Sequence, residues 1–168
     1  MRRMTIALSL GVRMTTTVRE AGNMDLPLLL TLMSEFYAEA GYPLNLDRAR
    51  AAFLPLLGPG ALGHALLIEV DGEAAGHLVL TFGYSMEYGG RNAFVDDLFI
   101  RPAFRGRGLG GQLVAHARAI CEELEVRAMH LEVARDNAAA QVVYRRAGFN
   151  ETERQLLTLA LELPTHAA

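Results

Sequence analysis

A glycine-rich turn that opens a helical pattern constrains this chain more than any other feature. Residues 101 to 120 read RPAFRGRGLGGQLVAHARAI and hold glycines at 106, 108, 110 and 111. Glycine permits positive φ and close approach to the backbone, and the unpaired first amides of a helix lie at the positive end of its dipole. A strand, this turn and a helix in succession predict a phosphate-type anion site. A plain connector with solvated arginines is the alternative.

The glycines alone do not distinguish between classes of phosphate ligand. Gly106, Gly108 and Gly111 fit the G-x-G-x-x-G fingerprint of dinucleotide-binding proteins, with Glu132 near the expected acidic position. In those proteins the glycines follow a strand directly, and several strand-helix units come after them. Here RPAFR intervenes, and residues 133–168 are too few for such a sheet. A dinucleotide-binding oxidoreductase is therefore the weaker alternative.

Hydrophobic periodicity and turn residues predict one domain in the order β-α-α-β-β-β-α-β-α-β. The fold class is α/β (α+β), with a mixed sheet flanked by helices. Residues 1–13 are expected to be a disordered leader, and residues 14–163 the single domain. Asp71-Gly72 predicts a hairpin turn, and Pro55 predicts early termination or a kink of the second helix. The predicted strands are 15–21, two within 65–82, 92–100, 127–133 and 154–163; the helices are 22–41, 46–58, 108–125 and 137–148.

Composition excludes several classes of function. The formal net charge is −3, so the basic footprint of a nucleic-acid-binding protein is absent. All 16 cationic side chains are arginine, which rules out lysine-dependent phosphate loops and Schiff bases. Cys121 is the single cysteine, which favours a cytoplasmic location. We expect no metal site, because the histidines lack ligand spacing, and no membrane span, because no apolar run approaches about 18 residues.

Two motifs in the second half of the chain resemble the GNAT superfamily of N-acetyltransferases. RGRGLG, Arg105 to Gly110, is similar to the Arg/Gln-x-x-Gly-x-Gly/Ala turn of that family, and DNAAAQVVYRRAGF is similar to its following helix. The resemblance runs from about residue 94 to 149. It implies a twisted, mixed, mostly antiparallel sheet flanked by helices, transfer of acetyl from acetyl-CoA to a primary amine by direct attack, and a homodimer.

The resemblance also implies which residues hold acetyl-CoA. Backbone amides of the turn would bind the pyrophosphate with help from the arginines, and the preceding strand would bind the pantetheine arm. The helix that follows would contribute its first residue and a tyrosine. The implied residues are Leu98, Phe99, Ile100, Arg105, Gly106, Arg107, Gly108, Leu109, Gly110, Asn137 and Tyr144.

Two residues are the candidate acid and base. Tyr144 matches the family tyrosine beside the CoA sulfur, where a phenol can protonate the departing thiolate; a packing tyrosine is the alternative. FVDDLFI resembles a segment of the spermidine/spermine acetyltransferases and places Asp96 at their proposed base, directly or through water. A surface ion pair is the alternative for Asp96, and Asp97 and Glu87 are the other candidate bases. Strand alternation predicts that Asp96 and Asp97 face opposite ways.

The amine acceptor is expected near the first helix and the loop before the GNAT-like strand. Glu35, Tyr37 and Glu87 are the candidate contacts, since acidic and aromatic groups together suit a cationic amine. Glu35 and Glu39 could instead form a solvated helix face. A non-catalytic acyl-CoA-binding sensor using the same turn is the main alternative to an enzyme.

Overall fold

The computed structural model describes residues 14–58 and 62–161. The predicted leader, residues 1–13, and the last two residues of the predicted final strand lie outside these ranges. Short 3-10 turns precede α1, follow α2 and follow β4. The elements of the described residues are β1 (Thr16–Glu20), α1 (Leu26–Ala40), α2 (Leu46–Phe53), β2 (Gly63–Val70), β3 (Glu73–Ser85), β4 (Gly90–Ile100), α3 (Leu109–Glu123), β5 (Ala128–Leu131) and α4 (Ala138–Arg146).

The five strands form one sheet in the order β1-β2-β3-β4-β5. The first four strands pair antiparallel, and β5 runs parallel to β4. Asp71 and Gly72 join β2 to β3 with φ angles of 51° and 81°, and two positive φ values are what a tight hairpin of this twist requires. The expected mixed, mostly antiparallel sheet and the Asp-Gly turn are confirmed.

Both faces of the sheet are covered by helices. Along β2, Leu66 and Ile68 belong to the core shared with α3 and α4, whereas Ala65 and Leu67 belong to the core shared with α1 and α2. Successive side chains of a strand point to opposite faces, so burial on both sides requires an unbroken apolar run. The run ALLI, residues 65–68, meets that requirement.

Local residues set the ends of the first two helices, although α1 begins at Leu26 rather than at the predicted residue 22. Gly41 ends α1 with a φ of 72°, the left-handed conformation that glycine supplies at helix ends. Asn45 caps α2 by accepting from the amide of Arg48 at 2.9 Å. This helix stops at Phe53, two residues before Pro55, as predicted. None of the helices in the described ranges is long and apolar enough to cross a membrane.

The predicted last strand is wrong for residues 154–161. These residues form neither strand nor helix, and every residue from 151 to 161 is exposed. A strand requires hydrogen-bonding to a neighbouring strand, and no strand of the described residues pairs with this segment. The apolar alternation is therefore present in the sequence without a strand partner among the described residues.

Candidate active site

The glycine-rich turn connects β4 to α3. Gly106 and Gly108 have φ angles of 75° and 74°, in the left-handed region that glycine adopts without strain. A side-chain carbon built at either position would meet no atom within 4 Å, so the space over the turn is open. Gly108 is the N-cap of α3 and has no side chain to bond the first helical amides. Those amides can therefore bind an anion.

Two arginines of the turn are placed differently. Arg105 donates from Nη2 to both carboxylate oxygens of Glu39 at 2.8 and 2.7 Å, and from Nε to the carbonyl oxygen of Ile100 at 2.9 Å. Arg107 donates to the carbonyl oxygen of Ala103 at 3.1 Å and has no carboxylate partner within the part of the chain described. The charge of Arg105 is already balanced, whereas that of Arg107 is available to a ligand.

A second ion pair joins α1 to the residue that follows β4. Arg101 donates from Nε and Nη2 to the two carboxylate oxygens of Glu35, each at 2.7 Å. This paired geometry holds the pKa of the Glu35 carboxyl below its usual value. Together with the Arg105–Glu39 pair, it fixes the C-terminal half of α1 against the start of the glycine turn.

The strands β4 and β5 separate beside the turn. They pair only through residues 92–95 and 128–131, and β4 continues to Ile100 after β5 has ended. Leu98, Phe99 and Ile100 therefore lie on a stretch of β4 that has no strand partner on its β5 side among the described residues. Unpaired backbone groups need other hydrogen-bonding partners. This edge and the open glycine turn can together accept an extended amide-containing chain that ends in phosphates.

The helix α4 carries the other two implied cofactor residues. Asn137 caps the helix by accepting from the amide of Ala140 at 3.1 Å, which leaves the amide nitrogen of its side chain free to donate. Tyr144 is 9% exposed, and its ring packs edge-on against Phe149. Burial raises the pKa of the Tyr144 phenol, so the group keeps its proton at neutral pH.

A pocket of about 740 Å³ opens on the other face of the sheet. Its walls come from α1, α2 and the loop between them, and its floor comes from β3 and β4. The walls are mostly apolar, and the charged groups in its lining are two aspartates and one arginine. Its lining includes Tyr37, Arg48, Phe53, Val79, Asp96 and Asp97.

A β-bulge places both aspartates in this pocket. In the register of β3 with β4, Val79 lies opposite Asp97 and the next residue, Leu80, lies opposite Val95. Asp96 is therefore the extra residue of the bulge, which breaks the alternation of side chains. The expectation that Asp96 and Asp97 face opposite ways is wrong, because it assumed a regular strand.

The two carboxylates affect the groups around them. The pKa of Asp96 is raised, first by desolvation and then by the negative charges of Asp97 and Glu132. The pKa of the Tyr37 phenol is raised by its burial and by the same two aspartates. Two carboxylates against one arginine leave the pocket with a net negative charge beside an aromatic ring and apolar walls, which favours a cationic ligand with an apolar body.

Sequence reasoning missed a histidine beneath this pocket. His77 lies on β3 with 0% exposure, and its Nε2 is 3.9 Å from the nearer carboxylate oxygen of Asp97. Neither ring nitrogen has a hydrogen-bond partner among residues 14–58 and 62–161. Its position in an apolar strand gave no signal of function, and only the register of β3 on β4 brings it to Asp97.

The structure does not bring Glu35 or Glu87 to the pocket. Glu35 is engaged by Arg101, as described above. Glu87 lies in the turn between β3 and β4 and forms an ion pair of 2.5 Å with Arg154, which lowers the pKa of the Glu87 carboxyl. Tyr37 alone of the three predicted acceptor contacts lines the pocket. The part of the chain described contains no group of three or more His, Cys, Asp or Glu residues able to hold a metal.

Two curated proteins are similar to this chain in sequence. A putative [ribosomal protein bS18]-alanine N-acetyltransferase of Bacillus subtilis is 33% identical over 85 residues, or 51% of this chain. The chain spans only 52% of that protein's length. A thialysine N-epsilon-acetyltransferase of Bos taurus is 26% identical over 142 residues, which are 78% of this chain and 82% of that protein.

A solved structure and a family model give broader coverage. The crystal structure of an integron cassette protein from the mobile metagenome of Cole Harbour Salt Marsh is 47% identical and superposes with a TM-score of 0.78 over 89% of this chain and 93% of that one. The model of the acetyltransferase (GNAT) family matches residues 28–149. These matches confirm the resemblance and the fold class predicted from the two motifs, and they favour that interpretation over the dinucleotide fold. The chain belongs to the acetyltransferase (GNAT) family.

Proposed function

We propose that this enzyme transfers acetyl from acetyl-CoA to the primary amine of a cation with an apolar body. One observation carries the proposal: Asp96 and Asp97 line a single, mostly apolar pocket on the strand whose free edge begins at Asp96. The curated relatives named above act, by their names, on an alanine of a ribosomal protein and on thialysine. Both are amine substrates, and neither fixes the acceptor of this chain.

The residues of the turn and the free edge of β4 fit acetyl-CoA. The amides from Arg105 to Gly110 would hold the pyrophosphate, because the turn is open and its glycines are left-handed. Backbone groups of Leu98, Phe99 and Ile100 would hold the pantetheine amides, and the Asn137 side chain would donate to the same arm. When bound, acetyl-CoA supplies an acetyl group activated as a thioester.

Asp96 is the proposed base. A free alkylamine has a pKa of about 10.4 and must lose a proton before it can attack a carbonyl. The raised pKa of Asp96 makes its carboxylate a better proton acceptor than an ordinary aspartate. Asp97 supports it in two ways, by attracting the cationic acceptor and by raising the pKa of Asp96.

Tyr144 is the proposed acid. Its raised pKa keeps the phenol protonated, so Oη can donate to a departing thiolate. Tyr37 is the proposed acceptor contact at the wall of the pocket. A cytoplasmic location is part of the same proposal, since Cys121 is buried and has no second cysteine to pair with.

The test is acetyl-CoA-dependent product formation, followed by mass spectrometry over polyamines, amino acids, aminoglycosides and a histone-tail peptide. We expect acetylation of an amine with an apolar body, and loss of most of that activity in Tyr144→Phe. CoA binding is followed separately as a thermal shift. A full shift with no acetylated product from any acceptor class would favour the acyl-CoA sensor instead.

The pH profile of kcat/KM distinguishes the two aspartates. Activity should rise with pH as Asp96 loses its proton, and Asp96→Asn should remove this acidic limb. Asp97→Asn is the matched control: removal of one neighbouring negative charge lowers the pKa of Asp96, so the limb should move to lower pH. If Asp97→Asn removes the limb and Asp96→Asn only shifts it, Asp97 is the base.

A further inference from the structure

A single histidine stands out in the core. His77 on β3 has 0% exposure, and the other buried residues of the described ranges are hydrophobic. Neither of its ring nitrogens is bonded to a group within those ranges. A polar group buried without a partner costs desolvation free energy, so an apolar residue would serve a packing role better. The position of the ring indicates what its nitrogens serve.

The strand register fixes the face of the sheet on which His77 lies. Its neighbours across the sheet are Leu67 of β2 and Phe99 of β4, and both belong to the core shared with α1 and α2. Directly opposite residues share a face of a sheet. The imidazole therefore lies on the side of the proposed acceptor pocket, with its centroid 6.2 Å from that of the Phe99 ring. Neighbours on both strands leave the ring little room to turn elsewhere.

Asp97 is the group that this ring can reach. Its Oδ2 is 3.9 Å from Nε2 of His77, and its side chain is 14% exposed. A direct N–H···O bond spans about 2.7–3.2 Å, so a small rotation of the Asp97 side chain would close the gap. Glu35, the other carboxylate that interacts with His77, already accepts from Arg101 with both oxygens. The acceptor left for His77 is therefore Asp97, in the lining of the pocket.

We propose that His77 is a positioning residue whose Nε2–H holds the Asp97 carboxylate toward the ammonium group of the acceptor. The inference rests on the proposed function, in which Asp97 attracts a cationic amine. Nε2 can carry a hydrogen in both the neutral and the charged imidazole, and hydrogen bonds that are long in an unliganded site commonly shorten when substrate binds. His77 takes no proton in the reaction, because its ring has no exposed surface from which to release one.

The first experiment needs no substrate. Nitrogen-15 spectra of the full chain, labelled on histidine, report which ring nitrogen carries a hydrogen, and loss of the signal in His77→Gln assigns it. We expect the hydrogen on Nε2 and a shift of this resonance in Asp97→Asn. Asp96→Asn is the matched control and should leave the resonance nearly unmoved, since Asp97 is the carboxylate within 4 Å of the ring. A hydrogen on Nδ1 alone, or equal shifts in the two variants, would overturn the proposal.

The second experiment separates positioning from packing. His77→Phe keeps a ring beside Phe99 and removes both nitrogens, whereas His77→Gln restores a donor near the place of Nε2. With the amine found by product screening, His77→Phe should raise KM for that amine roughly tenfold, as loss of a hydrogen bond to a charged group does. We expect little change in kcat or in KM for acetyl-CoA, and recovery of most of the loss in His77→Gln. In an Asp97→Asn background, His77→Phe should have no further effect.

Thermal stability distinguishes the same two roles. Replacement of an unbonded polar group by an apolar one of similar shape is close to neutral or stabilising, so the melting temperature of His77→Phe should not fall. An unchanged KM for the amine, whether or not the melting temperature falls, would show that His77 only fills the core and would refute the proposal. If the parent chain acetylates no amine, the proposed function fails, and the nitrogen-15 spectra alone decide the role of His77.

Discussion

Replacement of Gly108 by alanine tests whether the glycine turn is required for its backbone conformation. Gly108 has a φ of 74°, and an L-residue held in the left-handed region costs about 1–2 kcal/mol. The added methyl carbon meets no atom within 4 Å, so no steric term adds to this cost. Reduced entropy of the unfolded alanine variant offsets part of it. We expect the free energy of unfolding to fall by about 1 kcal/mol.

Gly111→Ala is the matched control for this substitution. Gly111 lies in the first turn of α3, does not have a positive φ, and also has open space around a built carbon. Alanine is preferred over glycine inside a helix by about 1 kcal/mol. Gly111→Ala should therefore raise the free energy of unfolding, whereas Gly108→Ala should lower it.

Urea unfolding followed by far-ultraviolet circular dichroism measures both variants, because the chain contains no tryptophan. A CoA titration of the melting temperature tests the ligand side. Ligand at 100 times its Kd adds about 2.7 kcal/mol to a binding-competent protein, and Gly108→Ala should lose most of that gain. If Gly108→Ala and Gly111→Ala change the free energy of unfolding in the same direction, the conformational reasoning is refuted. A full CoA shift in Gly108→Ala would refute the turn as the phosphate site.

Two further predictions follow from the core and from the ion pair on α1. Leu113 is fully buried between α3 and the sheet, so Leu113→Ala should lower the free energy of unfolding by about 2–5 kcal/mol. Val142→Ala, at an exposed position of α4, is the control and should change it by less than about 0.5 kcal/mol. Comparable losses for the two variants in urea unfolding would argue against this core. Arg101 lowers the pKa of Glu35 in the folded protein. The pair therefore stabilises the fold at pH values above the unfolded pKa of about 4.3, and this stability is lost as the pH falls through the folded pKa of Glu35. Melting temperatures from about pH 6 to 3 should fall less steeply in Glu35→Gln, and an unchanged slope would contradict the linkage.

Most of the fold, and the local geometry of the turn that we propose as the phosphate site, could be predicted from the sequence because their signals are local. A glycine turn, an Asp-Gly hairpin and a helix ended before Pro55 each depend on the conformational range of one or two residues. The turn that begins at Arg105 and the Asn137 cap were predicted in the same way, from neighbouring residues and a family resemblance.

The acceptor side could not be predicted because it depends on register and on long-range pairing. Glu35 looked like a free carboxylate at the end of a helix, and its partner Arg101 is 66 positions away. Glu87 likewise is bonded by Arg154, 67 positions away. Ion pairs at such separations leave no periodic signal, so a carboxylate that neutralises an arginine cannot be told from one that binds an amine.

The bulge in β4 shows how one extra residue changes the chemistry that a strand can present. A regular strand would send Asp97 and Asp96 to opposite faces, where one carboxylate could not alter the proton affinity of the other as strongly. With Asp96 as the extra residue, both carboxylates line one pocket, and the negative charge of Asp97 helps to raise the pKa of Asp96. The same irregularity occurs where β4 leaves its pairing with β5. In the proposed function, the free edge for a thioester donor and the paired charge for a cationic amine therefore begin at the same residue of β4.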